Sequence, residues 1–175
     1  MTGDLRVRRV RPADTDRIQD LHETAMRDVG AYVEDGPDDD LEAVTETYLE
    51  SDGEFLVGER EDRIVAMGAF RPVEETDYVT DFVSDLPAST VELTRMRVDP
   101  DHQRRGYGRR IAAELEGRAR DRGYTDIVLD TMATQTAARE LYETLGYEEA
   151  TRERIDGFDE PFDLLFYRKS LLGEE

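Results

Sequence analysis

From Val91 to Val98 the chain reads Val-Glu-Leu-Thr-Arg-Met-Arg-Val, and Asp99-Pro100 follows at once. Proline has no N–H for a strand ladder, so an extended segment ends there. Next come Gln103-Arg104-Arg105-Gly106-Tyr107-Gly108-Arg109-Arg110, and then Ile111, Leu115 and Ala119 at helical spacing up to Arg122. Gly123 is a natural helix stop, and Asp126 to Asp130 is a compact apolar strand. Strand, glycine-bearing turn, helix and strand in this order predict a right-handed parallel unit, hence an α/β chain. A glycine turn feeding a helix also presents unbonded N–H groups and the positive end of the helix dipole. That is an anion cradle suited to phosphate or pyrophosphate.

The remaining elements surround this unit. Leu5 to Val10 is a short strand, broken by Arg11-Pro12-Ala13-Asp14, with Asp14 as helix N-cap. Ile18, Leu21, Ala25 and Val29 then mark a first helix to about Asp28, stopped by Gly30, with Gly36-Pro37 as a loop. Asp38-Asp39-Asp40 favours a helix start, and Leu41, Val44, Tyr48 and Leu49 make the stripe of a second helix. Phe55–Gly58 and Ile64–Phe70 flank a short turn at Glu61-Asp62 and read as an antiparallel hairpin. Arg71 to Thr90 is a polar stretch with a small apolar cluster (Phe82, Val83, Leu86). It suits either substrate recognition or a solvated connection. Thr134 caps a last helix with Ala137, Ala138, Leu141, Tyr142 and Leu145 on its buried face, ended by Gly146. Two strands follow, about Tyr147 to Arg154 and Phe162 to Arg168, around a loop with Gly157 and Pro161. The whole is one domain, residues 1–175: strand, two helices, three strands, helix, strand, helix, two strands, a mixed α/β sheet with helices on its faces.

Composition narrows the chemistry. There is no cysteine, which removes disulfides, thiolate nucleophiles and thiolate metal sites. Only His22 and His102 are present, so a metal centre is not expected. His22 reads as a packed or surface residue, although it could line an acceptor site, and His102 as a structural one in the turn before the cradle. The net charge is −20, and Lys169 is the sole lysine among 23 basic residues. Such a field repels nucleic acid and anionic membrane, while the arginines near Gly106 supply local positive charge. No apolar run spans a membrane and no signal sequence opens the chain, so a soluble cytoplasmic protein is expected. Acidity with so little lysine suits adaptation to high salt, and suits equally an acidic protein of an ordinary cell. The other glycine motifs do not match: no Gly-Lys-Ser/Thr follows, and position 111 is Ile where a dinucleotide fingerprint needs a third glycine.

Gln103-Arg104-Arg105-Gly106-Tyr107-Gly108 resembles the Gln/Arg-x-x-Gly-x-Gly/Ala signature of the GNAT superfamily of acetyl-CoA-dependent N-acetyltransferases. Arg97-Val98-Asp99-Pro100 is similar to the end of that family's central strand, and Arg11-Pro12-Ala13-Asp14 to a common opening. Ala138 to Tyr147 is similar to its Ala-x-x-Leu-Tyr-x-x-x-Gly-Phe/Tyr segment. The resemblance implies a splayed sheet of about six or seven strands with about four helices. It implies acetyl-CoA as co-substrate, with its pantetheine arm between the fourth and fifth strands. Met96, Arg97 and Val98 then lie along that arm, and Gln103, Arg104, Arg105, Gly106, Tyr107, Gly108 and Arg109 hold the pyrophosphate. The position of Gln135 is asparagine in many members, and its cofactor contact is carried over with that difference.

With no cysteine, direct attack of an amine on the thioester is the natural scheme. The resemblance makes Glu92 the general base, directly or through water, in a partly apolar setting that raises its proton affinity. It makes Tyr142 the general acid for the leaving thiolate. Both residues also fit simpler descriptions, a half-exposed strand glutamate and a core aromatic. A Met96 or Val98 N–H would polarise the carbonyl. A catalytically silent acyl-CoA sensor of the same fold is the alternative, and family habit suggests a homodimer through the C-terminal strands. No motif specifies the amine.

Overall fold

A computed structural model describes residues 5–30, 39–74, 77, 79–156 and 161–172. The expected features at Gly36-Pro37, Asp38 and Gly157 lie outside the described residues. Seven strands and four α-helices are present among them: β1 (Arg6–Arg9), α1 (Thr15–Asp28), β2 (Glu54–Arg60), β3 (Arg63–Pro72), α2 (Val79–Phe82), β4 (Thr90–Val98), α3 (Tyr107–Asp121), β5 (Asp126–Met132), α4 (Thr136–Thr144), β6 (Glu148–Ile155) and β7 (Phe162–Ser170). The strand order is β1-β2-β3-β4-β5-β7-β6, in a mixed sheet. The pairs β1–β2, β2–β3, β5–β7 and β6–β7 are antiparallel, and β4–β5 is parallel, as the crossover through α3 requires. The parallel register pairs Thr90, Val91 and Glu92 with Asp126, Ile127 and Val128.

The chain forms two compact units: Met1–Arg71 with Leu93–Gly117, and Pro72–Glu92 with Arg118–Glu175. In the first, α1 turns Ile18 and Leu21 onto Phe55, Val57, Ile64, Met67 and Ala69 of the β2–β3 hairpin. Burying each such side chain contributes roughly 1.5–3 kcal/mol. The hairpin turn has φ of +53 and +66 at Glu61 and Asp62, the left-handed pair that matches strand twist in a two-residue loop. On the opposite face of β3, a Cβ on Gly68 would run into Met96 Sδ and stand 2.8 Å from Ile111 of α3. In the second unit, Val79, Val83, Val128 and Phe166 form the core, and Phe82 stacks on Phe166 at 5.0 Å. The described part of the Arg71–Thr90 stretch is therefore a packed segment carrying one helical turn.

Four local expectations change. The second helix is a 3-10 turn at Asp39–Leu41 and a π-helical turn at Thr45–Leu49. Leu41, Val44 and Tyr48 are still buried, because the apolar pattern records burial and not hydrogen-bond type. The last helix has Gln135 as its N-cap residue, not Thr134. The Gln135 Oε1 accepts from Met132 N–H (3.1 Å) and Thr131 Oγ1 (2.8 Å), which carries β5 further and starts the helix later. Of the expected buried face only Tyr142 is buried, while Ala137 is exposed. Val29, expected on the buried stripe, is 47% exposed at the C-cap of α1, inside the turn that Gly30 N–H closes on the Arg27 carbonyl.

Candidate functional site

The glycine turn lies wholly in the first unit. Arg104 and Gly106 have φ of +65 and +82, so the chain reverses twice before α3 begins. Nothing stands within 4 Å of a Cβ placed on Gly106, so the left-handed angle itself makes glycine suitable there. The first helical bond runs from Arg110 N–H to the Gly106 carbonyl (3.0 Å). The N–H groups of Tyr107, Gly108 and Arg109 thus precede the ladder and have no protein acceptor among the described residues. Gln103, Arg104, Arg105 and Arg109 are exposed, and the three arginines have no acidic partner among the described residues. Free amides, a helix dipole and unpaired guanidinium groups together fit an anionic group such as a pyrophosphate.

Other members of the stretch are engaged by the fold. The Tyr107 ring is buried and its hydroxyl accepts from Arg60 (3.0 Å), which leaves its backbone N–H for a ligand. Arg110 donates to the Leu5 carbonyl (2.6 Å), so it anchors the N-terminal strand. The loop hangs from Asp99. The Asp99 carboxylate accepts from Asp101 N–H (2.9 Å) and from Arg17 of α1 (3.2 Å), and its own N–H donates to the Val65 carbonyl (2.8 Å). Burial pushes the Asp99 carboxyl up, but the Asp101 and Arg17 bonds outweigh it and hold it below the usual range. Sequence reading found the Asp99-Pro100 turn and missed Arg17. No local pattern joins residues so far apart in the chain.

Met96, Arg97 and Val98 lie on the half-buried part of β4. The Arg97 Nε–H donates to His22 Nδ1 (3.2 Å) and its Nη1 to the Met96 carbonyl (2.7 Å). His22 is buried on α1, with Arg95 Nη1 3.4 Å from its other ring nitrogen. It is a packed histidine and not a surface one. His102 is partly exposed, and its Nδ1 lies 3.8 Å from the Asp99 carboxylate.

The second unit holds Glu92, Tyr142 and Gln135. Glu92 is 6% exposed, between Val91 and Leu93 and opposite Val128 in the register. Tyr142 is 7% exposed on α4. Its ring meets Tyr147 edge-on at 5.8 Å and Tyr167 at 6.4 Å. Tyr167 donates to Glu143 (3.0 Å), and Lys169 caps α4 at the Leu145 carbonyl (2.6 Å) while lying over the Tyr147 ring. The expected residues thus divide into two groups, Met96 to Arg109 in one unit and Glu92, Tyr142 and Gln135 in the other.

No helix among the described residues is long and apolar enough to cross a membrane. N-acetyltransferase 8 of Homo sapiens is 30% identical over 110 residues, covering 62% of this chain and 45% of that protein. A [Ribosomal protein bS18]-alanine N-acetyltransferase of Salmonella typhimurium is 44% identical over 72 residues, covering 41% of this chain and 49% of the other. The chain spans about half the length of the curated relatives it matches. Among solved structures, yncA of Salmonella typhimurium, determined with its cofactor acetyl-CoA, superposes with a TM-score of 0.76 at 23% identity, covering 97% of this chain and 95% of that one. The model of the acetyltransferase (GNAT) family matches residues 16–147, three-quarters of the sequence, and the chain belongs to that family.

Proposed function

We propose that the protein is an acetyl-CoA-dependent N-acetyltransferase that moves an acetyl group to a primary amine in a ternary complex. The observation that carries this reading is the start of α3. In a chain of net charge −20, three amides and the guanidinium groups of Arg104, Arg105 and Arg109, none with a protein partner among the described residues, gather at one turn. In this reading Gln103 to Arg109 hold the pyrophosphate. The backbone groups of Met96, Arg97 and Val98 hold the pantetheine arm, and a Met96 or Val98 N–H polarises the thioester carbonyl. Gln135 spends its Oε1 on β5. Its amide N–H remains for the cofactor.

The chemistry follows from the two buried groups. A neutral amine attacks the thioester carbonyl carbon and a C–N bond forms. Glu92 takes the surplus proton from nitrogen, directly or through a water. The C–S bond breaks and the thiolate takes a proton from the Tyr142 hydroxyl. Water then returns a proton from Glu92 to the tyrosinate, leaving amide and thiol. The protein acts in the cytoplasm as a single catalytic domain, and a homodimer through β6 and β7 is part of the proposal. The test measures CoA release across small amines, aminoglycosides, polyamines and peptide N-termini, at low and molar salt. Turnover with at least one amine supports the reading. Acetyl-CoA binding without turnover on any amine replaces it with an acyl-CoA sensor, and absence of binding removes both.

A further inference from the structure

Inside β4 one residue is not extended. Arg95 has φ of +59, the left-handed region that a residue with a side chain occupies only when its surroundings impose it. Arg95 Nε–H donates to Asp40 Oδ2 at 2.9 Å and its Nη2 to Oδ1 at 2.6 Å, a two-pronged bond of fixed direction. The Tyr48 hydroxyl donates to the same Oδ2 at 2.6 Å, from a ring that is 1% exposed. The ion pair is shielded, with Arg95 13% and Asp40 15% exposed. A left-handed residue within a strand swings the peptide that follows it, as a bulge does. The φ of Arg95 therefore sets where the backbone groups of Met96 to Val98 point.

We infer that Asp40, with Tyr48 behind it, is a positioning residue for the acyl-CoA ligand. Asp40 clamps Arg95 in the left-handed conformation and so aims the Met96–Val98 backbone. It acts through Arg95 and not on the ligand. The inference rests on the acetyl-CoA reading above.

The test compares the full-length wild type, Asp40→Ala and the double variant Asp40→Ala/Arg95→Gly. Acetyl-CoA affinity is measured by calorimetry without any amine, and folding by melting temperature. Asp40→Ala should weaken acetyl-CoA binding about tenfold, and the double variant should recover to within about threefold of wild type, because glycine holds positive φ without a clamp. Its melting temperature should also rise above that of Asp40→Ala. A residue that merely stabilises the fold, or touches the ligand, gains nothing from a second truncation at Arg95. If Asp40→Ala does not fold, Asp40→Asn replaces it, with a loss of about threefold that Arg95→Gly again relieves. Unchanged affinity in the single variant, or a double variant no tighter than the single, overturns the clamp while leaving the proposed function standing. A wild type that binds no acetyl-CoA overturns both.

Discussion

The two units present their functional groups in opposite ways. In the first, Arg104, Arg105 and Arg109 are exposed and the first α3 amides face no acceptor among the described residues. In the second, Glu92 and Tyr142 are 6% and 7% exposed, and the Tyr142 ring packs against Tyr147 and Tyr167. The difference follows from what each group is proposed to do. An anion-binding loop works with fixed charges and dipoles, which are cheapest to keep in water until the ligand arrives. Proton-transfer groups work from a fixed geometry shielded from bulk water, and burial supplies that shielding.

The strongest challenge to this contrast is chemical. Glu92→Gln should lower kcat about 10²- to 10³-fold in steady-state CoA-release assays, with acetyl-CoA affinity unchanged, and Tyr142→Phe about tenfold or more. Retained turnover in both variants would move the chemistry elsewhere.

Acid offers the next comparison, because four depressed carboxyls, Asp14, Asp40, Glu59 and Asp99, belong to the first unit. Burial pushes Asp14 and Asp40 up, but Arg8 on Asp14, and Arg95 with Tyr48 on Asp40, hold both below the usual carboxylate range. The Arg8 bond does the same for Glu59, and Asp99 is held down as described above. A carboxyl depressed in the folded state contributes stability that is complete above its unfolded value and is lost as pH falls through the folded one. Below about pH 4, therefore, amides of β1, β2 and α1 should lose hydrogen-exchange protection before those of β5 and β7. Simultaneous loss would show that these carboxylates do not set the acid limit.

Gly68→Ala probes packing in the first unit. The new methyl would meet Met96, Ile111 and Leu115, so a cost of about 1–3 kcal/mol is expected, read as a fall in Tm of roughly 3–10 °C. Replacing Arg104, Arg105 and Arg109 together by Ala should weaken acetyl-CoA binding about tenfold and flatten its salt dependence, while Tm hardly moves. A large loss of stability would mean that these arginines serve the fold. The smallest effect belongs to Gln135→Ala. Its Oε1 is already spent on Thr131 and Met132, so stability should fall by about 1 kcal/mol and acetyl-CoA affinity change by less than about twofold. A larger affinity loss would place its free amide N–H on the ligand.

The sequence alone determined the seven strands in order, the parallel β4–α3–β5 unit and the glycine turn. These rest on local signals: apolar periods, the break at Asp99-Pro100, and glycine where the backbone turns left-handed at Gly106 and Gly123. The family motifs are read from the same short stretches. The tertiary structure alone decided which charges were partnered. From composition the arginines were interchangeable, yet Arg104 and Arg109 have no partner among the described residues, while Arg110 is tied to Leu5, Arg17 to Asp99 and Arg95 to Asp40. It also decided that β5 runs on to Met132 and delays α4, that Thr45–Leu49 winds as a π turn, and that Arg95 leaves the extended region within its strand. The pairings of Arg17, Arg95 and Arg110 depend on partners distant along the chain, and a hydrogen bond between such residues leaves no periodic trace in the sequence.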